Sequence, residues 1–212
     1  MYLPAHFRED RQHVQHDLMR AYPLGVLFTA GPGGPMANHV PCLLYADEGP
    51  HGVLRAHLAR ANPQLDELRA ITECFVVFQG PEDYITPSWY ATKRETGKVV
   101  PTWNFVSVHV WSAPRVIEDP LWLRRQLEDL TNQHEHPRPR PWHVDDAPAD
   151  FIEAQMRGIV GLELPIARIE GKWKVSQNRS EADRLGVAAG LRTQGATSAG
   201  MATLVEATLP SG

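Results

Sequence analysis

The sequence predicts a mainly β (α+β) fold: a β-barrel of antiparallel strands with flanking helices packed on its outside. Short apolar runs rich in β-branched and aromatic residues recur along the chain, and turns rich in Gly, Pro and Asp separate them. Amphipathic helical segments interrupt the strands and carry their own start signals. No internal repeat and no linker between large domains is present. The 212 residues suit one domain over 1–191, with 192–212 as a C-terminal tail rich in Gly, Ala and Thr. Such a tail is expected to be poorly ordered at its end.

Each element follows from a local pattern. Asp10 can cap a helix that places Val14, Leu18 and Ala21 or Tyr22 on one face, and Pro23 ends it. The run 24–30 reads as a strand. Gly31-Pro-Gly-Gly-Pro35 is a tight turn, and a second strand over 36–45 completes a hairpin. A third strand is expected over 51–58. Asn62 followed by Pro63 starts a short helix through Leu65 and Leu68. Residues 74–78 form a buried strand. In 105–111, Phe105, Ser107, His109 and Trp111 share one face, and Val106, Val108 and Val110 share the other. Asp119-Pro120 starts a helix carrying Leu123, Leu127 and Leu130, and Pro137 bars its continuation. A short helix follows Pro148 and stops near Gly158. The residues 159–169, a turn at Gly171 and 173–175 then suggest a last hairpin. Ser180-Glu-Ala-Asp183 fits a helix capping box.

Composition narrows the function. The formal net charge is −4, which argues against a surface built to neutralise phosphates and against direct DNA binding. No helix-turn-helix with a basic recognition helix is apparent. Cys42 and Cys74 each lie inside an apolar run, as buried thiols of a reducing compartment do. No stretch reaches the roughly 18 apolar residues of a membrane span, and the N-terminal residues lack the pattern of a secretory signal. A soluble, cytoplasmic protein with no membrane partner is expected.

Four segments mix hydrogen-bonding or cationic groups with aromatics at the ends of β-like runs: 57–64 (His-Leu-Ala-Arg-Ala-Asn-Pro-Gln), 84–90, 97–104 and 174–179. That combination suits a ligand with a flat ring at one end and a phosphate at the other, the shape of flavin mononucleotide (FMN). Arg60 offers a planar fork of donors beside a helix start; the plainer alternative is a solvated arginine next to a cap. His39, Val40 and Pro41 mark a strand at an edge or rim, because proline cannot donate to a ladder. Trp89, Tyr90, Trp103 and Trp111 suit flavin stacking or, alternatively, a core or dimer interface. Lys174, Ser176, Gln177, Asn178 and Arg179 crowd donors after a strand, or form a polar turn. The cluster His134, Glu135, His136, His143, Asp145 and Asp146 matches no established zinc spacing, so no metal is expected. Neither glycine-rich stretch has the spacing of a phosphate loop.

The segments 57–64, 84–90, 98–104, 130–135 with Pro141-Trp142, and 174–179 resemble those of the PaiB family, the FMN-binding negative transcriptional regulators. The resemblance runs from Met1 to about Leu191. It implies an FMN-binding split β-barrel that forms homodimers with the flavin at the subunit interface. It carries the phosphate onto His57, Arg60 and Asn62, and the ring onto Asn38, His39 and Val40. Trp103, Asn104, Ser176, Gln177 and Asn178 follow as further contacts, from the same or the other subunit. Two other functions stay open. One is an NAD(P)H-dependent flavin reductase or oxidoreductase of the pyridoxamine-phosphate-oxidase-like class. The other is a haem-binding split barrel. The chain lacks the Ser-Arg-Lys triplet of the oxidases at its third strand.

Overall fold

The computed structural model describes residues 1–210. In chain order the first elements are β1 (Arg8–Glu9), α1 (Gln12–Ala21), β2 (Leu24–Gly31), β3 (Gly34–Pro41), β4 (Leu43–Tyr45), β5 (Val53–Ala59) and α2 (Gln64–Ala70). Next come β6 (Cys74–Ile85), α3 (Ala91–Glu95), β7 (Thr102–Ser112), β8 (Arg115–Ile117), α4 (Pro120–Glu135) and α5 (Ala149–Arg157). The last are β9 (Ile159–Lys174), α6 (Glu181–Thr193) and α7 (Ala196–Glu206). The strands hydrogen-bond in the order β3-β2-β6-β7-β9-β5-β4, with β1 and β8 also pairing with β9. The described chain falls into two compact units: one of 1–15, 79–108 and 170–210, the other of 16–78 and 109–169.

In the 16–78/109–169 unit, β2 and β3 form the expected antiparallel hairpin, from Leu24 opposite Pro41 to Gly31 opposite Gly34. Gly34, at φ 97°, closes the turn in the left-handed region. The single strand expected over 36–45 is two strands. Pro41 has no N–H to continue the ladder, and the Cys42 N–H turns to the Pro23 carbonyl, 2.9 Å away. Beyond that break β4 pairs with β5 instead. β5 runs antiparallel to β9, from Val53 opposite Pro165 to Ala59 opposite Ile159. β3 also comes close to β5, so the sheet curls on itself. Leu27, Leu54, Ala56, Val76, Phe78, Leu162 and Leu164 are buried inside, and α2 packs against β2 and β8.

Of the two faces expected from periodicity, one is observed and one is not. The valine face of β7 is fully buried, as its alternation predicts. α1, in contrast, buries Gln15, His16, Leu18 and Met19, while Val14 is half-buried and Ala21 and Tyr22 are exposed. The reason is two polar side chains with internal partners. The Gln15 amide donates to the Glu9 carbonyl, and His16 Nε2 lies 3.0 Å from the His51 carbonyl oxygen. A satisfied polar group can be buried at small cost, and apolar periodicity does not register it.

In the other unit, the expected hairpin around Gly171 does not exist: β9 is one strand of 16 residues. Gly171 stands opposite Glu9 of β1, and a Cβ there would lie 2.7 Å from the Glu9 carbonyl oxygen. The glycine permits a close approach of two backbones rather than a turn. The capping box of α6 is half made. Ser180 Oγ accepts from the Asp183 N–H at 3.2 Å. The Asp183 carboxylate accepts from Thr92 N and Thr92 Oγ1, both at 2.9 Å, and so caps α3. The segment expected as a C-terminal tail carries α7, whose Met201, Ala202 and Val205 are buried and which packs on α6.

Gly186 and Gly190 lie one turn apart on α6 and form a seat for Trp89. A Cβ at either position would overlap the Trp89 carbonyl or indole. Alanine is normally better than glycine in a helix by about 1 kcal/mol, yet overpacking of this kind costs about 1–3 kcal/mol. Gly186→Ala is therefore expected to lower the urea midpoint. A raised midpoint would show that α6 is not seated on Trp89.

Candidate functional site

The corner where β5 hands over to α2 is built on Gln64. This side chain has no solvent exposure. Its Nε2 donates to the Leu27 carbonyl at 3.1 Å and lies 3.2 Å from Thr29 Oγ1, and its Oε1 accepts from Asn38 Nδ2 at 2.9 Å. Thr29 in turn donates to Glu67 of α2. One amide thus fastens β2, β3 and α2 together. Asn62 Oδ1 accepts from the Gln64 N–H at 3.0 Å, and Pro63 already has helical dihedrals, so the pair starts the helix as expected. That work consumes the Asn62 acceptor and one of the free N–H groups.

Arg60 leaves this corner half-exposed. Its guanidinium donates to the carbonyls of Arg157 (Nε, 3.2 Å) and Ile159 (Nη2, 3.3 Å) and to Glu118 Oε2 (Nη1, 3.3 Å). Glu118 also accepts from Arg69 Nη2 at 2.8 Å. Its two arginines, Arg69 first and then Arg60, hold its carboxyl below the usual range. Arg60 opens on a cleft of about 260 Å³ in which Arg157, Glu118 and Glu153 supply the other charges and Leu123 and Met156 an apolar wall.

His57 faces a different cleft. Its Nδ1 lies 2.9 Å from Gln126 Oε1 of α4, and the cleft it lines, about 270 Å³, shares Met156 with the first. His57, Arg60 and Asn62 therefore come together at one corner but serve two neighbouring clefts and a helix cap. On β3, Asn38 is half-buried, His39 exposed and Val40 1 % exposed. β3 ends the strand order, the edge position that Pro41 predicts.

The expected contacts on 103–104 and 176–178 are largely engaged with one another. Asn104 is fully buried, and its Nδ2 donates to Ser176 Oγ at 2.9 Å. Ser176 sits at φ 65°, an uncommon conformation for a non-glycine residue. Gln177 Oε1 accepts from the Val175 N–H at 2.8 Å, and its Nε2 donates to the Trp173 carbonyl. Trp103 is 47 % exposed, with its indole N–H on Glu82 and its ring 6.0 Å from Tyr84. Asn178 is exposed. Lys174 donates to Thr102 Oγ1 at 2.6 Å and to the Trp103 carbonyl. Burial, then Lys172 and Arg179, push its pKa down. Of the aromatics expected near a ring, Tyr90 is buried beneath Arg179, 4.8 Å from its centroid. Trp89 fills its glycine seat.

Sequence reasoning missed Gln64, Gln126 and Glu118 as parts of the corner. Gln64 was the last residue of a recognised segment. Gln126 occupies the apolar stripe of α4 among Leu123, Leu127 and Leu130, and a lone amide in such a stripe is a legible signal. Glu118 stands just before a helix cap and gives none. In the histidine-rich region, Glu135 accepts from the Trp142 N–H at 3.0 Å and pairs with Arg138 at 3.0 Å. Among the described residues no group of three or more His, Cys, Asp or Glu side chains gathers as metal ligands do.

Comparison with known proteins assigns the class. A family model described as "Putative FMN-binding domain" matches residues 1–168. The FAD- and haem-binding protein of Mycobacterium smegmatis superposes with a TM-score of 0.54 at 16 % identity, over 78 % of this chain and 71 % of that one. The fold is a split β-barrel, and FMN is the cofactor of its family. An uncharacterised protein of Emericella nidulans is 37 % identical over 92 % of each chain. The protease synthase and sporulation protein PAI 2 of Bacillus subtilis is 30 % identical over 88 % of this chain and 87 % of that one. The chain belongs to the PaiB family of FMN-binding proteins.

Neither cysteine offers a nucleophile. Both are buried and free, and burial pushes each thiol up to about 12. The thiolate is the reactive form, so at pH 8 the folded protein is expected to react with a thiol reagent far more slowly than the unfolded chain, which should yield two thiols at once. Rapid labelling of the folded protein would contradict this burial.

Proposed function

We propose that the protein works in the cytoplasm as a homodimer that binds FMN at the β5–α2 corner and serves in negative regulation of transcription without reading DNA bases itself. The carrying observation is Arg60. Its fork is held by two carbonyls and one exposed carboxylate, and exposed pairs contribute little to stability. A phosphate dianion, which Arg can engage bidentately, competes well for it. Glu118 keeps Arg69 when Arg60 is drawn away, so no charge is stranded.

The donor set fits FMN. Arg60, with Arg157 in the same cleft, suits the phosphate. Asn62 fixes the corner from which Arg60 projects. Asn38, His39 and the outer edge of β3 beside Val40 offer polar groups to the rim of a flat ring, and Gln64 holds Asn38 in place. Bound FMN supplies one- and two-electron redox chemistry; the chain supplies binding, orientation and charge.

The dimer rests on incompleteness. A cleft of about 260 Å³ is smaller than the roughly 300–1,000 Å³ of sites that enclose a drug-sized ligand, and its charges are two arginines against two glutamates. A second copy supplies the remaining wall. Trp103 and Asn178 are exposed and suit that role from the partner subunit, whereas Asn104, Ser176 and Gln177 spend their polar groups internally. A half-buried band also offers an association surface. Phe28 stacks on Phe75 at 4.7 Å, Phe75 on Trp111 at 5.9 Å, and Arg168 lies 3.4 Å over Trp111; aromatics with arginine mark such surfaces.

The regulatory role is what the resemblance to the PaiB family implies, and its indirect character is supported by the net charge of −4. FMN titration is the first test. Arg60→Ala is expected to weaken FMN binding roughly 10- to 100-fold, the loss of about 1.5–3 kcal/mol for a charge-assisted bond. An unchanged dissociation constant would move the phosphate elsewhere. In solution the mass is expected near twice 23.7 kDa; a monomer that holds FMN tightly would exclude an interface site. Anaerobic NADH or NADPH is expected to leave the flavin oxidised, and rapid bleaching would put the protein among the flavin reductases instead.

A further inference from the structure

We propose that the cleft bounded by His57, α4, Trp142 and α5 is a ligand site for a small uncharged molecule, flat and largely apolar, that presents one hydrogen-bond donor to His57. The proposal goes beyond FMN binding and does not rest on it. Thr131 from 130–135 and Trp142, to which the flavin reading gives no role, meet His57 here.

The lining decides the ligand class. Leu127, Trp142, Val144, Ile152, Met156 and Ile159 make most of the wall, Thr131 and Gln155 add neutral polar groups, and no Lys, Arg, Asp or Glu takes part. The neighbouring cleft around Arg60 is charged on both sides. An ion entering the His57 cleft would lose hydration with no counter-charge to replace it, so the occupant is neutral. At about 270 Å³ the space takes a molecule of one or two rings.

His57 decides the polar contact. Its Nδ1 is 2.9 Å from Gln126 Oε1. An amide oxygen only accepts, so Nδ1 carries a proton, and in the neutral imidazole Nε2 then keeps a lone pair. Among the described residues Nε2 has no partner. Gln126 is the positioning residue. It is 1 % exposed, and among the described residues its own Nε2 has no hydrogen-bond partner. A buried donor left unpaired is costly, and a leucine on the same stripe of α4 would avoid the cost. Among the described residues its side chain makes one hydrogen bond, to His57, and that bond fixes the ring with Nε2 facing a ligand.

Phenol, toluene and benzoate are the probes, followed by NMR on the His57 imidazole and Trp142 indole of the full chain, with FMN affinity measured alongside. Phenol is expected to saturate these resonances at one molecule per chain, toluene to bind at least about tenfold more weakly, and benzoate not to bind. Gln126→Leu is expected to erase the preference for phenol while leaving toluene affinity unchanged, an effect that mere loss of packing would not give. Thr131→Trp is expected to block both while FMN still binds, and it stands as the test should Gln126→Leu fail to fold. Equal affinity for phenol and toluene, a preference for benzoate, or no saturable shift would overturn the proposal, whatever the FMN affinity.

Discussion

The buried amide of Gln64 is the contact on which this corner of the molecule depends. β3 is held along one edge by β2, and a strand so held can shift or fray. Gln64 ties it through Asn38, ties β2 through the Leu27 carbonyl and Thr29, and does both from the first turn of α2. The direction in which β5 leaves the sheet and the height at which Arg60 projects follow from that anchorage. An amide suits the task because it donates and accepts at once, whereas a carboxylate there would bring a charge into a site with no exposure.

Much of the fold was legible because its signals are local. The β2–β3 hairpin, the alternating faces of β7 and the proline-led starts of α2 and α4 need only neighbouring residues to be read. What was not legible depends on residues far apart in the chain. Gly171 looks like a turn until Glu9 is found across from it. Gln15 and His16 read as solvent-facing because their partners, the carbonyls of Glu9 and His51, carry no side-chain signature. The segment 36–45 reads as one strand because apolar content does not reveal that the Cys42 N–H prefers Pro23.

The same division holds for the site. The residue types at 57, 60, 62 and 64 pointed to one corner, and the structure brings them together there, since strand ends and helix starts gather polar groups. Their sharing of tasks was hidden. Arg60, just past the end of β5, is three residues from His57 within it, yet the first meets Glu118 and the second Gln126, residues 58 and 69 positions away. Two clefts, one lined by charges of both signs and one by none from Lys, Arg, Asp or Glu, result from that divergence, with Met156 shared between them. The donors around 176–178 were legible as a cluster, but spacing could not say that most of them satisfy one another.

The two prolines of β3 have a consequence for how the molecule behaves in a crowded solution. An open sheet edge is a template on which another chain can grow, and proteins that expose one risk aggregation. Pro35 and Pro41 stand near the two ends of β3 and lack the N–H that an incoming strand would need there. The stretch between them is too short for a foreign strand to gain much, so the edge is a poor template for a second chain.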